Sequence, residues 1–159
     1  MMRAGAPGAV GGEEERHLPS PHRVVNPEGL APPVGFAHAV VAAPGRTVYL
    51  GGQAAQAPDG RIVGDTMAEQ FEVAAGNLVA ALAAAGGAPE HLVSLHVYVT
   101  DAAAYRAALP QLGAAYRRHL GRHYAATALF EVAGLFDPAA TVELVGIAVV
   151  PDREEREQP

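Results

Sequence analysis

The sequence YAATALFEVAGLFDPAATVELVGIAVV, residues 124–150, carries the clearest structural signal in the chain. Two apolar runs rich in β-branched residues flank GLFDPAA, whose glycine, aspartate and proline are typical of a loop, so the pattern predicts two strands. Each run holds one acid in apolar surroundings, Glu131 in the first and Glu143 in the second. A carboxylate in such a strand is costly unless it is paired, solvated in a cleft or used chemically, which makes both acids candidate functional residues.

The sequence before this stretch predicts further strands and two helices. Glycine and proline turns separate a short edge strand at 23–26, a strand at 36–43, its partner at 47–53 and a strand at 92–100. Apolar residues at helical spacing predict one helix at about 66–85. Asp65 or Thr66 can cap it, and Glu69 suits a capping box. A second helix is predicted at about 103–120, with a break or kink near Pro110.

Both helices have one apolar stripe, which predicts an α+β domain in which one mixed β-sheet carries two helices on one face. The other face of the sheet is also too apolar to lie in water. A symmetric homo-oligomer that buries this face is the natural solution.

Composition limits the classes of function. The chain has 159 residues, 50% apolar and 18% charged, with a net charge of −6, which argues against nucleic acid as the main partner. No apolar run reaches the roughly 18 residues expected of a membrane span. The absence of cysteine excludes a disulfide framework, thiolate metal sites and thiol catalysis, and it fits a cytoplasmic protein. Residues 1–22 are interpreted as a disordered leader, 23–151 as the folded domain and 152–159 as a disordered tail.

The order and spacing of several short motifs resemble the RidA/YjgF family of reactive intermediate deaminases over residues 24–150. The matching segments are YLGGQ at 49–53, EQ at 69–70, LAAAGGAPEHLVSLHVYVTD at 82–101, FEVAGL at 130–135 and VELVGIAVV at 142–150. The resemblance implies a chorismate-mutase-like fold and a homotrimer with a central barrel. It also implies three small-molecule sites in the clefts between subunits.

One position departs from the pattern of the deaminating members. Those proteins have an arginine four residues before the glutamate of the first strand, and this chain has Thr127 there. The arginine would bind the carboxylate of a 2-imino acid through two charge-assisted bonds. Its loss is expected to weaken an anionic substrate by about a hundredfold or more. The resemblance therefore favours a neutral or aromatic amine-, imine- or enamine-type substrate.

The same resemblance assigns the other candidate residues. Glu143 matches the glutamate that directs water at an imine carbon, and it is the catalytic candidate. Phe36 stands where many members have a tyrosine. Gly52 and Leu129 fall at positions that line the site, and with Phe36 and Thr127 they are the candidates for substrate binding.

Each candidate also has a structural interpretation. A salt bridge, or capping of a neighbouring subunit's backbone, explains Glu143 almost as well as catalysis does. Glu131 is explained by a bond to the backbone at the trimer interface. Thr127 is explained as an ordinary threonine of a strand. His38 is a minor candidate for an acid or base, and Glu131 is the other minor candidate. His119 and His123 are four residues apart, but Gly121 separates them, so no metal site is predicted. No cofactor is expected, since the sequence has no phosphate loop or dinucleotide fingerprint.

Three functions follow from these observations. The first is an enzyme that hydrolyses a C=N or enamine bond, with Glu143 directing water. The second is a non-catalytic, chaperone-like or small-molecule-binding trimer. The third is an endoribonuclease, an activity associated with the family, which the acidic charge disfavours.

Overall fold

A computed structural model describes residues 19–152 of the chain. The elements in order are β1 Arg23–Val25, β2 Ala39–Val41, β3 Gly45–Ala54, α1 Met67–Ala84, a short 3-10 helix Pro89–His91, β4 Leu92–Val99, α2 Ala102–Ala107, α3 Leu109–Leu120, β5 Ala126–Glu131 and β6 Val142–Pro151. Among the described residues, no helix is both long enough and apolar enough to cross a membrane. The α+β class predicted from the sequence is confirmed.

Helix α1 begins with the predicted capping box. The Thr66 hydroxyl accepts the Glu69 amide, and the Glu69 carboxylate accepts the Thr66 amide in return. These bonds satisfy N–H groups that lack partners in the first turn. The helix ends before Gly86, whose φ of 85° is readily adopted by glycine.

The second predicted helix is two helices. α2 ends at Ala107, Ala108 caps it, and α3 begins at once with Pro110 in its first turn. Proline is tolerated there because the first N–H groups of a helix have no intrahelical acceptor. The break was predicted near Pro110, and it lies just before that residue.

The main sheet has the strand order β3-β6-β4-β5. β6 pairs antiparallel with both β3 and β4, whereas β4 and β5 are parallel. The parallel pair needs a crossover connection, which α2 and α3 provide. α1 and α3 cover one face of this sheet, and Phe71, Leu78, Leu95, Leu120 and Leu144 are among the fully buried residues between the layers.

The first two strands differ from the prediction. β2 covers only Ala39–Val41 and pairs with β1 in a separate two-stranded sheet, so 36–43 and 47–53 do not form the expected pair. β3 pairs instead with β6, which is far away in sequence. Local turn residues indicate where strands end, but they do not determine which strands become neighbours.

The folded part extends beyond the expected start at Arg23. The Ser20 hydroxyl donates to the Glu90 carbonyl at 2.8 Å, and His22 is buried and accepts the Ala43 amide. At the other end, β6 reaches Pro151 as expected. Residues 1–18 of the predicted leader and 153–159 of the predicted tail lie outside the described residues.

Within residues 19–152, no helix packs against the second face of the sheet. Tyr49 is 78% exposed and Phe130 is 45% exposed on this side. Tyr98 stacks on Phe130 with ring centroids 5.5 Å apart. We call this surface the open face.

Candidate functional site

A cavity of about 470 Å³ lies between the sheet and the helices α2 and α3. Its walls combine strand, helix and loop residues: Val34, Gly35, Phe36, Phe71, Val97, Tyr105, Leu109, Leu112, Gly113, Tyr116, Tyr124, Thr127 and Leu129. The volume and the largely apolar lining are those of a small-molecule site. We call it the tyrosine cavity, after Tyr105, Tyr116 and Tyr124.

No charged side chain from the described part of the chain lines the tyrosine cavity. Thr127 is where the deaminating members of the resembled family have arginine, and its hydroxyl donates to the Ala125 carbonyl at 2.9 Å. The polar groups that remain on the wall are therefore uncharged. A buried anion would lose its hydration here without gaining a cation in return.

Strand register places Thr127 and Leu129 on the wall of the cavity. They are paired with Leu95 and Val97 of β4, both of which are buried against the helices. Paired residues in neighbouring strands project to the same side of a sheet. Both side chains therefore face the helix layer, as the lining requires.

The segment before β2 brings Phe36 to the same cavity. The Ala37 amide donates to the Ala125 carbonyl at 3.0 Å, which holds this segment beside the start of β5. Gly35 has a φ of 74°, a backbone conformation that favours glycine. The Phe36 ring thus lies on the wall formed by Tyr124 and Thr127.

The three tyrosines differ in their hydrogen bonds. The Tyr116 hydroxyl donates to the His123 carbonyl at 2.6 Å, and its ring stacks on Tyr124 with centroids 5.2 Å apart. The Tyr105 hydroxyl has no hydrogen-bond partner within residues 19–152. Burial raises the pKa of Tyr105 and, more strongly, that of Tyr116, so both are neutral at physiological pH. The neutral Tyr105 hydroxyl can therefore donate a hydrogen bond to a ligand or accept one from it.

Glu143 lies on the other side of the sheet from this cavity. It is paired with Tyr98 of β4 and shares the open face with it, whereas its neighbours Val142 and Leu144 are buried under the helices. Its carboxylate lies against Gly52, and a Cβ built on that glycine would overlap with Oε1. One chain thus places the five main candidates in two groups, with Phe36, Thr127 and Leu129 in the cavity, and Glu143 and Gly52 on the open face.

The two minor candidates lie outside both groups. The Glu131 carboxylate accepts the Ala102 amide at 2.7 Å, at the start of α2. His38 bonds to the Ala31 carbonyl at 2.8 Å through Nε2, and its ring contacts Phe36 edge-on with centroids 5.1 Å apart. Glu131 is thus a helix-capping group in this structure, and His38 lies behind the cavity wall.

The three tyrosines were not among the site residues predicted from the sequence. Tyr105 and Tyr116 belong to the apolar stripe of the second predicted helix, which was interpreted as core packing. A signal was present, because two hydroxyl-bearing rings recur on one helix face and Tyr124 starts the next strand. Tyrosine hydroxyls that leave water usually form a hydrogen bond, so three tyrosines near one another indicate a site that needs polar groups.

The described residues contain no cluster of three or more His, Cys, Asp or Glu side chains that could hold a metal ion. The polar side chains that line the cavity are the three tyrosines and Thr127.

Comparison with protein families gives one match over most of the chain. The profile described as Endoribonuclease L-PSP matches residues 28–150. A search of curated proteins found no match.

Solved structures give many matches, and three illustrate their range. The protein YyfB of Yersinia pestis, titled a protein of unknown function of the conserved Rid protein family, is 32% identical with a TM-score of 0.74, over 81% of this chain and 98% of that one. RidA of the Antarctic bacterium Psychrobacter sp. is 27% identical with a TM-score of 0.57, over 76% and 92%. A protein of Thermotoga maritima titled a putative endoribonuclease is 27% identical with a TM-score of 0.59, over 81% and 97%.

Proposed function

Because the chain belongs to the Rid/YjgF family, which the Endoribonuclease L-PSP profile describes, we propose that it hydrolyses an imine or enamine whose reacting end carries no acidic group. The products would be a carbonyl compound and ammonia or an amine. The ligand would occupy the tyrosine cavity, with the reacting carbon near Thr127.

The uncharged wall of the tyrosine cavity is the observation that carries this proposal. Thr127 stands where the resembled deaminases bind a substrate carboxylate, and no cationic side chain of the described residues lines the cavity. The carboxylate of a 2-imino acid would lose its hydration at this point without gaining a cation in return. A neutral or aromatic substrate avoids that cost and also gains apolar and aromatic contacts.

Glu143 requires a second copy of the chain in this proposal. Within one chain the acid lies on the open face, across the sheet from the cavity. In a homotrimer whose open faces form a central barrel, the strand ends that carry Glu143 and Gly52 would lie at the cavity of the next subunit. The exposed rings of Tyr49 and Phe130 support such an assembly, because burying them removes apolar surface from water.

The proposed reaction is a water addition followed by elimination. The Glu143 carboxylate accepts a proton from water as the water oxygen bonds to the imine carbon. The C=N bond becomes single as the nitrogen takes the proton from Glu143, which gives the carbinolamine and restores the carboxylate. Glu143 then moves the proton of the carbinolamine hydroxyl to the nitrogen. The C=O bond forms as the C–N bond breaks, and the nitrogen leaves as ammonia or an amine. Tyr105 is placed to orient the nitrogen or a polar substituent through its unpartnered hydroxyl.

A comparison of two substrates tests the proposal. The purified protein is given 2-iminopropionate, generated in place by an amino-acid oxidase, and the neutral imine of an aromatic aldehyde. We expect faster release of aldehyde from the second imine than its spontaneous hydrolysis, and little effect on the first. Robust turnover of 2-iminopropionate would contradict the proposal.

The position of Glu143 favours one alternative, a trimer that binds small molecules without catalysis. The acid is outside the cavity of its own chain, so ligand binding does not depend on it within one chain. Glu143→Gln keeps the shape of the side chain and removes the base. Loss of turnover with retained ligand affinity indicates an enzyme, whereas unchanged behaviour in both assays indicates a binding protein.

The endoribonuclease description of the family is not adopted for this chain. Its net charge is −6, and it contains no lysine. Arg118, one of the arginines on α3, is already paired with Glu72. RNA binding relies on cationic groups that are free to contact phosphates.

A further inference from the structure

A second cavity, of about 370 Å³, adjoins the tyrosine cavity. The two cavities share Gly35, Phe36 and Tyr124 in their walls. The second one is lined in addition by Arg122, which precedes β5 on the loop after α3. We call it the arginine cavity.

Arg122 has no ionic partner within the described part of the chain. The ion pairs there join Arg46 to Asp152, Arg61 to Asp59, and both Arg118 and His119 to Glu72. Arg122 takes part in none of them, and its side chain is exposed. The guanidinium group is therefore available to a ligand without breaking an existing bond.

Two other polar side chains of the arginine cavity bond to groups within the protein. His123 lies within hydrogen-bond distance of the Leu92 carbonyl through Nε2, at 2.8 Å. The Asn26 side-chain oxygen Oδ1 accepts a hydrogen bond from the His38 backbone amide at 2.9 Å. Arg122 is thus the one side chain with a permanent charge in the described lining of the two adjoining cavities, and that charge is positive.

We propose that the two cavities form one elongated site for an aromatic ligand that carries a carboxylate at its far end. The aromatic body and the reacting carbon lie in the tyrosine cavity, and Arg122 binds the carboxylate in the arginine cavity. A planar guanidinium group suits a carboxylate because it offers paired N–H donors. The inference rests on the proposed function and adds to it the class of substrate: an acid separated from its reacting end by an aromatic group.

This arrangement differs from the one implied by family resemblance. An arginine at position 127 would hold a carboxylate inside the tyrosine cavity, next to the reacting carbon. Arg122 lines only the adjoining cavity, so the acid it binds must be remote from that carbon. A short 2-imino acid cannot extend from one cavity to the other while its reacting carbon stays near Thr127.

A matched pair of probes tests the role of Arg122. 2-Naphthylacetate and 2-naphthylacetamide have the same shape and differ in charge, and their affinities can be measured by calorimetric titration. Arg122→Gln should weaken the acetate by about threefold to tenfold and leave the amide within about twofold. Raising the salt concentration from about 0.05 to 0.5 M should lower the affinity of the wild-type protein for 2-naphthylacetate. It should not change the affinity of Arg122→Gln for the same probe.

Two further variants serve as controls. Arg46→Gln makes the same change in net charge on β3, away from both cavities, and should leave both affinities unchanged. Gly113→Phe places a ring in the wall of the tyrosine cavity and should weaken both probes. Equal affinities of the wild type and Arg122→Gln for the acetate would overturn this inference alone. Failure of the wild type to bind either probe, or unaltered binding by Gly113→Phe, would overturn the use of the tyrosine cavity and the inference with it.

Discussion

The side chain at position 127 separates this chain from the deaminases it resembles. Thr127 is half-buried on the cavity wall, and its hydroxyl is already bonded to the Ala125 carbonyl. An arginine would extend from the same Cα into about 470 Å³ of unfilled space. One substitution should therefore change the charge of the site without repacking the core.

Thr127→Arg is expected to convert the protein toward 2-imino acids. A guanidinium group on this wall would form charge-assisted bonds with the substrate carboxylate and raise the rate on 2-iminopropionate by about tenfold or more. The measurement is pyruvate release, with Thr127→Gln as an uncharged control of similar reach. If both variants respond equally, charge is not what excludes the acid.

Tyr105 and Tyr116 make a matched test of hydroxyl function. Tyr105→Phe removes a hydroxyl without a described partner, so stability should be retained while affinity for a polar ligand falls about threefold to tenfold. Tyr116→Phe breaks the bond to the His123 carbonyl and should lower the free energy of unfolding by about 0.5–1.5 kcal/mol. Urea unfolding and ligand titration of both variants check the contrast, and the reverse pattern would refute it.

His91 makes the fold sensitive to acid. Its Nδ1 accepts the Ala88 amide at 3.0 Å, so the ring must be neutral at that nitrogen. Burial lowers the pKa of His91 from 6.5, an effect that the nearby Glu90 opposes and that His22 and His123 reinforce. The unfolded chain then binds the proton more readily than the folded chain. The contribution of His91 to the free energy of unfolding is therefore fully present above pH 6.5, and it is lost as the pH falls through the lower pKa of the folded state.

His91→Asn should reduce this sensitivity, because an amide oxygen can accept the Ala88 N–H at every pH. Urea unfolding at pH 7.5 and pH 5 measures the change in stability for the wild type and the variant. An undiminished pH dependence in His91→Asn would rule out His91 as the cause.

Helix α1 was the most predictable element of the fold. Its start follows from a capping box within four residues, its end from a glycine pair and its buried face from the apolar spacing, and all three are local properties of the sequence. The pairing of β2 with β1 was missed because partner choice depends on contacts that are remote in sequence. The division of the second helix was anticipated because proline acts on its own neighbourhood.

Thr66→Ala should weaken the start of α1. The change removes the hydroxyl that accepts the Glu69 amide, and it should lower the free energy of unfolding by about 1 kcal/mol. Thr66→Ser keeps a hydroxyl at the same position and should cost much less. Thermal and urea unfolding of the two variants compare them directly, and equal losses would exclude the cap as the source.

The molecule as a whole has one sheet face packed under helices and one left open. The apolar patterns of β4 and β6 already indicated this imbalance, so an oligomer was expected before any resemblance was considered. The cavity residues Phe36, Thr127 and Leu129 were found through family positions and do lie together. Their separation from Glu143 was not anticipated, because a motif alignment does not record which face of a sheet a residue occupies.

Phe130→Glu should dissociate the proposed trimer. Phe130 is 45% exposed on the open face and stacks on Tyr98, and a buried carboxylate there would be unpaired. Sedimentation velocity should show a trimer for the wild type and smaller species for the variant. Ala80→Glu, on the exposed side of α1, is a control that should leave the assembly intact. A monomeric wild type would refute the assembly.

The contact between Gly52 and Glu143 affects how mutational scans of this protein should be interpreted. Any side chain at position 52 must push the carboxylate away, since even the first carbon would overlap with Oε1. An alanine at this position would thus behave as an indirect mutation of the acid. If Gly52→Ala causes no further defect in a Glu143→Ala background, where the overlapping atoms are absent, the glycine serves to leave room for the carboxylate and not to touch the substrate.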